Sequence, residues 1–351
     1  ITLLAAFFRL HKIDVLPPGE FYDPAYYGLD ALEILGGKTP IFFETNGGRE
    51  SLYSYIVAAC VALFGVGSLA IHVAPAIVGI LTIPAIFLAA EELFSKDEGL
   101  LGAYGSLVAA LATALSFWHQ VWSRYGVRAI LLPLFAALVV FTLLRGLRTG
   151  RWRYLAGCGV FLGLGMYTYQ PARLLPVWVV AGWGYATWRS RAWNKRSFYA
   201  LGAITLISLL VFAPLGAYAL THWDSFMGRV HAVNVLRSQA VFEALGQQLR
   251  NTVLVFGWCG DACPRVNLPE RPALNLFFFG AFVLGMAVSL RRIVQPRMFM
   301  LLAWLGVMCV PGILAQQGHT SKRIIGSLPA VMILIAVGLL APLDRLYHWA
   351  Q

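Results

Sequence analysis

Apolar runs alternate with short polar loops along almost the whole chain. The runs at 1–10, 69–93, 98–118, 127–147, 154–170, 171–188, 198–221, 273–290, 298–315 and 324–343 predict membrane-crossing helices. Most approach the ~20 residues that cross ~30 Å of hydrocarbon. Several contain Gly and Pro, which membrane helices accommodate. The run at 51–64 is shorter. At ~1.5 Å per residue it reaches only about 20 Å, which predicts a juxtamembrane or re-entrant helix. The expected architecture is an all-α polytopic bundle of about ten spans, in one module covering 1–351.

Loop charge orients the bundle. Three short loops are basic and free of acids: Arg145 to Arg153, Arg189 to Arg196, and Arg291 to Arg297. An even number of spans separates each neighbouring pair, so all three share a side, and by the positive-inside rule that side is cytoplasmic. Loops 11–68, 119–126, 169–173, 222–272 and 316–323 then share the exoplasmic face.

Composition agrees. Hydrophobic residues make up 59% of the 351-residue chain and charged residues 12%, about half the charged fraction of a soluble domain. The net charge of +11 is explained by topology-setting loops rather than by nucleic acid. Ile1 in place of Met predicts that the chain is a fragment.

Chemistry-bearing residues gather in the exoplasmic loops. Asp23 precedes Pro24 at the head of a run ending at Gly36-Gly37. Asp at N-cap and Pro at N1 is a common helix start, so a capping role stands beside any catalytic one. Asp30 and Glu33 read as solvated charges on an interfacial helix. Asn46-Gly47-Gly48-Arg49-Glu50 brings a glycine pair beside two charges, and Arg49 with Glu50 is open to reading as an ordinary ion pair. Arg124, Arg128, Arg173, Lys322 and Arg323 sit against the topology rule at the outer face. Snorkelling explains some such cations. Together they suit an anionic lipid headgroup, since an arginine fork makes two parallel bonds to a phosphate. Cys259 and Cys263 lack the further ligands of a metal site, and their exoplasmic position predicts a local disulfide. Nucleotide-binding glycine loops, nucleophile elbows and paired-His zinc motifs are absent from the sequence.

These segments, in this order, resemble the C-type fold glycosyltransferases that use polyprenyl-phosphate sugars. The resemblance is to bacterial relatives of protein O-mannosyltransferases and lipid A aminoarabinose transferases. It rests on the Asp23 segment, Gly47 to Leu52, Phe64-Gly65 and Ser123-Arg124-Tyr125-Gly126. It rests also on Tyr167-Thr168-Tyr169 with Arg173 and Pro176, and on Gly260-Asp261 with Asn267-Leu268-Pro269. It implies that Asp23 is the catalytic base of an inverting transfer and that Glu50 is a second carboxylate candidate. Arg124, Arg128, Arg173, Lys322 and Arg323 would bind the donor phosphate. Arg49, Tyr167, Tyr169, Asp261 and Asn267 would contact donor or acceptor. Relatives carry Asp-Glu where this chain has Asp23-Pro24, and Glu-Pro-Leu or Pro-Pro-Leu where it has Glu50-Ser51-Leu52. Those departures leave a divalent metal open, and no other cofactor is implied.

The implied protein moves a sugar from a polyprenyl-phosphate carrier to a protein, lipid or glycan acceptor at the outer face of the inner membrane. The alternatives are a non-enzymatic transporter or lipid-handling protein, and a structural subunit of a larger membrane complex. Transport pathways need polar groups at depth. Here charges lie mostly near span ends, Glu91 and Glu92 at one end of the 69–93 run and His72 near the other.

Overall fold

A computed structural model describes residues 1–17, 21–96, 98–191, 194–264, 266–316 and 319–350. The expected loop segments at 18–20 and 317–318 lie outside the described residues. The helices are α1 (Thr2–Leu10), α2 (Tyr22–Leu35), α3 (Leu52–Phe64), α4 (Ser68–Leu93), α5 (Gly99–Leu115), α6 (Phe117–Tyr125), α7 (Leu131–Thr149) and α8 (Trp152–Gly165). They continue with α9 (Leu175–Arg189), α10 (Lys195–Thr221), α11 (Trp223–Val233), α12 (Val241–Leu254), α13 (Leu276–Arg291), α14 (Pro296–Ile313), α15 (Thr320–Arg323) and α16 (Leu328–Ala350).

Each expected span is a helix. By length and apolar composition, five of them can cross a membrane: α4, α7 with its leading turn, α10, α14, and the stretch Ile325–Asp344. The bent pair α5–α6 makes a sixth. The remaining four fall short of the expectation: α1, α8, α9 and α13 have 9, 14, 15 and 16 residues. Helix α3 is the expected short one, with 13 residues; it stands against α2 and α4.

Helix α16 occupies the centre. Its span is 89% buried, whereas that of α10 is 17% buried and turned outward. Close crossing of α13 over α16 explains Gly285 and Gly338. A Cβ on Gly338 would lie 1.8 Å from the Ala281 carbonyl oxygen. Small residues at such crossings let two backbones approach within a membrane.

Between α5 and α6 the axis bends by 55° at Ser116. Ser116 caps α6 by accepting from the His119 amide. The break frees carbonyls at the end of α5, and such groups need partners when buried. Arg9, fully buried on α1, donates to the Thr113 and Ala114 carbonyls and lies 2.6 Å from His119 Nδ1.

In the first loop, β1 (Phe42–Phe43) pairs antiparallel with β2 (Arg49–Glu50), Phe42 opposite Glu50. The turn takes three left-handed residues, Asn46, Gly47 and Gly48. A Cβ on Gly48 would meet the Phe42 ring at 2.9 Å and the Ser225 carbonyl oxygen at 3.0 Å. Glycine there seats the hairpin under α11.

Candidate active site

Asp23 lies in the first turn of α2, after an extended Phe21 at the N-cap position. The expected N-cap role is therefore corrected: the helix starts two residues earlier, with Phe21 in place of Asp23 at the N-cap, and takes no side-chain cap. The carboxylate faces a cleft instead. Its Oδ1 accepts from Asn46 Nδ2 at 2.8 Å, and its Oδ2 lies 3.6 Å from Lys322 Nζ. Burial alone would raise its pKa. Lys322, the Asn46 hydrogen bond, Arg128 and Arg229 together pull it below the ordinary Asp value. Its side chain keeps 36% exposure. The result is an ionised and reachable carboxylate.

Glu50 differs. It is buried at the end of β2, with Arg128 Nε at 3.0 Å and Arg173 Nη2 at 3.4 Å. Arg128 also donates to the Tyr27 hydroxyl at 3.1 Å and to the Gly48 carbonyl at 3.2 Å, and lies over the Tyr169 ring. Arg173 sits 4.0 Å from the centre of the Phe226 ring. Glu50 thus fixes two cations and is not itself open for proton transfer.

The polar cleft holds about 50 Å³ and is lined by Asp23, Asn46, Arg128, Tyr169, Arg229, Lys322 and Arg323 among others. An apolar cavity of about 300 Å³ adjoins it. Tyr169, Gln170, Val233 and Arg323 line both. Arg173, Met227, Val230, Leu236, Pro311 and Leu314 belong to the apolar side. Around the two cavities stand five cations, Arg128, Arg173, Arg229, Lys322 and Arg323, against two carboxylates.

Asp261 and Asn267 act behind this site. The Asp261 carboxylate accepts from the Thr320 amide at 2.7 Å, the Ser321 amide at 3.2 Å and the Ser321 hydroxyl. It holds α15, which carries Lys322 and Arg323. Trp118 Nε1 donates to the Ser321 carbonyl at 3.1 Å and supports the same turn. Asn267 donates to the Asp261 and Arg271 carbonyls.

Other expected contacts are placed elsewhere. The Arg124 guanidinium donates to the carbonyls of Phe8, Arg9, His11, Lys12 and Leu16. Those groups emerge at the end of α1, so Arg124 is committed to capping it and not to a phosphate. Arg49 makes a two-pronged pair with Asp30, 2.5 and 2.9 Å, with Ser54 adding 2.9 Å. Asp30 is 4% exposed, so the expectation of a solvated charge is corrected; Glu33 is exposed and pairs with Lys38. The Tyr167 hydroxyl donates to the Val211 carbonyl at 3.0 Å and accepts from the Leu215 amide at 3.2 Å. It braces α10 around Pro214, away from the cleft. Cys259 and Cys263 are free thiols, which corrects the expected disulfide: Cys259 is exposed, while Cys263 turns inward onto the core.

Sequence reasoning missed Arg229 and the part of Asn46. Arg229 lies on α11 within the long loop, whose other arginines look alike in sequence; its Nη1 would be 3.2 Å from a Cβ at Gly47. The residues present do not suit a divalent ion. Among the described residues no three His, Cys, Asp or Glu side chains gather as ligands, and the Asp23 carboxylate stands among cations.

The family described as dolichyl-phosphate-mannose-protein mannosyltransferase matches residues 51–218. That stretch starts just after Glu50 and stops short of α11 and α15. The sequence matches none of the curated proteins. In fold, the chain is similar to ArnT from Cupriavidus metallidurans bound to undecaprenyl phosphate, with TM-score 0.69 and 18% identity over 96% of this chain and 58% of that one. It is also similar to the Archaeoglobus fulgidus oligosaccharyltransferase in the apo form, with TM-score 0.60 and 15% identity over 99% of this chain and 50% of that one. AglB from the same organism, in complex with an inhibitory peptide and a dolichol-phosphate, gives TM-score 0.59 at 14% identity. The chain spans about half to three-fifths of the length of these structures.

Proposed function

The chain has the C-type glycosyltransferase fold, and from that premise we propose that it transfers a sugar from a polyprenyl-phosphate donor at the exoplasmic face of the inner membrane. One observation carries the reading: the polar cleft with Asp23 and the apolar cavity lie side by side, with Tyr169, Gln170, Val233 and Arg323 lining both. An amphiphile fits that arrangement. Its isoprenoid chain would lie along Pro311, Leu314 and Val230, and its phosphate would meet Arg323, which lines both cavities, with Arg173 on the apolar side of it. ArnT with undecaprenyl phosphate and AglB with dolichol-phosphate are neighbours that bind such lipids.

The chemistry follows from the charges. The acceptor hydroxyl or amine would sit against Asp23, which takes its proton as the acceptor oxygen or nitrogen attacks the anomeric carbon. The bond to the lipid phosphate breaks from the opposite side, so the configuration inverts. The leaving phosphate gains charge, and the preorganised cations stabilise it. Glu50 keeps Arg128 and Arg173 fixed for that purpose. Protein, lipid and glycan acceptors all offer the needed group.

The test is transfer in proteoliposomes from a panel of polyprenyl-phosphate hexoses and pentoses. Wild-type protein should transfer from at least one of them and from no nucleotide sugar. Asp23→Asn keeps the size of the side chain but cannot accept the proton. It should lose roughly 10²–10⁴-fold in rate, with normal thermal stability. Near-normal transfer by Asp23→Asn would remove Asp23 as base. Transfer from nucleotide sugars alone would remove the donor assignment.

A further inference from the structure

A third cavity, of about 550 Å³, lies at the other end of the same helices. Its walls include Glu91 and Glu92 at the end of α4, Arg145 and Arg148 at the end of α7, Lys96, and Arg297 at the start of α14. Helix α7 links the two ends: Arg128 in its leading turn serves the Asp23 cleft, and Arg148 serves this cavity. That run of some twenty residues rises roughly 30 Å, one hydrocarbon thickness. The cavity therefore sits at the opposite membrane face, which loop charge assigns to the cytoplasm.

Its floor is built rather than casual. The Glu92 side chain is 1% exposed and takes Arg145 Nη1 at 2.7 Å, Arg148 Nε at 2.8 Å and Arg148 Nη2 at 2.9 Å. Both forks are held still by a buried carboxylate. Glu92 takes Arg145 through Nη1 and Arg148 through Nε and Nη2, so Arg145 Nη2 and Arg148 Nη1 stand outside that pair. Lys96 and Arg297 add two more cations, so positive charge exceeds the two glutamates. The other wall is apolar: Phe87 on α4, with Ala103 and Leu107 on α5. Leu107 is 43% exposed on a helix of the bundle surface, where acyl chains would lie.

We propose that this cavity binds the phosphodiester headgroup of an anionic phospholipid of the cytoplasmic leaflet. The arginine edges take the phosphate oxygens in the paired geometry that guanidinium favours. Lys96 and Arg297 add attraction, and one acyl chain follows the Phe87–Leu107 wall. The site is independent of the sugar-transfer reading, since none of its residues reaches the Asp23 cleft.

Arg145 and Arg148 both pair with the buried Glu92, and removing either would weaken that pair and confound the reading, so the test uses the other two cations. Native mass spectrometry of the full chain in detergent would count phosphatidylglycerol and phosphatidylcholine retained at equal supply. Wild-type protein should retain phosphatidylglycerol preferentially. Arg297→Gln with Lys96→Gln should weaken it by about five-fold for each charge removed. Arg151→Gln with Arg291→Gln removes equal charge from the same face outside the cavity and should leave retention unchanged. Equal loss in both double variants would mean diffuse attraction and overturn the site. Displacement of the lipid by millimolar inorganic phosphate would make the occupant a free anion and overturn the lipid. Unchanged retention in Arg297→Gln with Lys96→Gln would also overturn it.

Discussion

Lys322 stands 3.6 Å from the Asp23 carboxylate, although the two come from opposite ends of the chain. The pair ties the first-loop helix to α15 and sets the charge state of the proposed base. Lys322 is the largest of the charges that bring the Asp23 pKa down against the opposing effect of burial. Lys322→Met keeps most of the stem and removes the charge. The Asp23 pKa should then rise, so that protonation sets in at a higher pH. The acid limb of the transfer rate should move upward in pH, with the greatest loss on the acid side. A pH profile of kcat/KM in proteoliposomes checks this. An unmoved acid limb would separate Lys322 from the base.

Arg229 and Arg323 differ from Arg124 in what they touch, and the difference is measurable. Arg229 and Arg323 line the cleft, and their replacement by Ala should raise the donor KM about ten-fold each, on the order of one charged hydrogen bond. Lys should restore part of that, since it keeps charge but loses the fork. Arg124→Ala strips five backbone carbonyls of a donor. It should lower the thermal midpoint while the donor KM of folded protein stays near wild type. A large donor KM effect in Arg124→Ala at unchanged midpoint would return Arg124 to the phosphate site.

The apolar runs locate a helix at each expected span, because the bilayer demands apolar stretches, but four of those helices are shorter than the runs suggest. The runs do not settle which charged residues meet. Arg49 is legible as a charge beside Glu50, yet its partner is Asp30, reached from β2 across to α2. Neighbours in sequence point to opposite sides of a strand, so adjacency misled. Arg124 and Arg128 look equivalent on paper, four residues apart, but the α6 end turns one onto α1 and the other into the cleft. The α15 cations are legible because they stand where topology disfavours positive charge, and Asp23 because it heads a helix start in the segment that carries the family resemblance. Arg229 carries no such signal, since its loop is long and holds several other arginines in similar surroundings.

The Asp30–Arg49 pair is structural, and its loss should show in stability before activity. Both side chains are buried, and Arg49 stacks among the Tyr26, Tyr27 and Phe43 rings. Removing one partner leaves a buried charge, which destabilises by ~3–5 kcal/mol. Arg49→Met and Asp30→Asn should each lower the thermal midpoint in detergent strongly. The exposed Glu33→Gln should leave it unchanged, since a surface pair contributes at most about 1 kcal/mol. Equal midpoints for all three variants would place Asp30 outside the structural core of the first loop.

Sidedness is open to a direct reading from single thiols. Cys259 is exposed, while Cys60 and Cys158 are buried. In sealed right-side-out vesicles an impermeant maleimide should label Cys259 without prior reduction. In a variant lacking Cys259, a new thiol at Phe242, which is 91% exposed, should label from outside, and one at Val294, 58% exposed, only after the vesicles are opened. Labelling of position 294 from outside would invert the orientation drawn from loop charge.

Asp261 offers the most discriminating variant, because it acts on the cleft through α15 alone. Its carboxylate receives the first two amides of that helix and the Ser321 hydroxyl. An anion at exposed amides of a helix start is a favoured arrangement. Asp261→Asn keeps shape and one accepting oxygen but loses the charge. Hydrogen bonds to a charged group contribute about 1.5–3 kcal/mol each at most, so α15 should loosen while the bundle stays folded. Lys322 and Arg323 would then be held less firmly. The donor KM should rise, and the acid limb should shift in the same direction as in Lys322→Met, because Asp23 loses its nearest cation. The double variant Asp261→Asn with Lys322→Met should show a smaller effect on the acid limb than the sum of the two singles. Additive shifts would mean that Asp261 reaches Asp23 by another route. No shift at all in Asp261→Asn would leave Asp261 a tether without influence on the base.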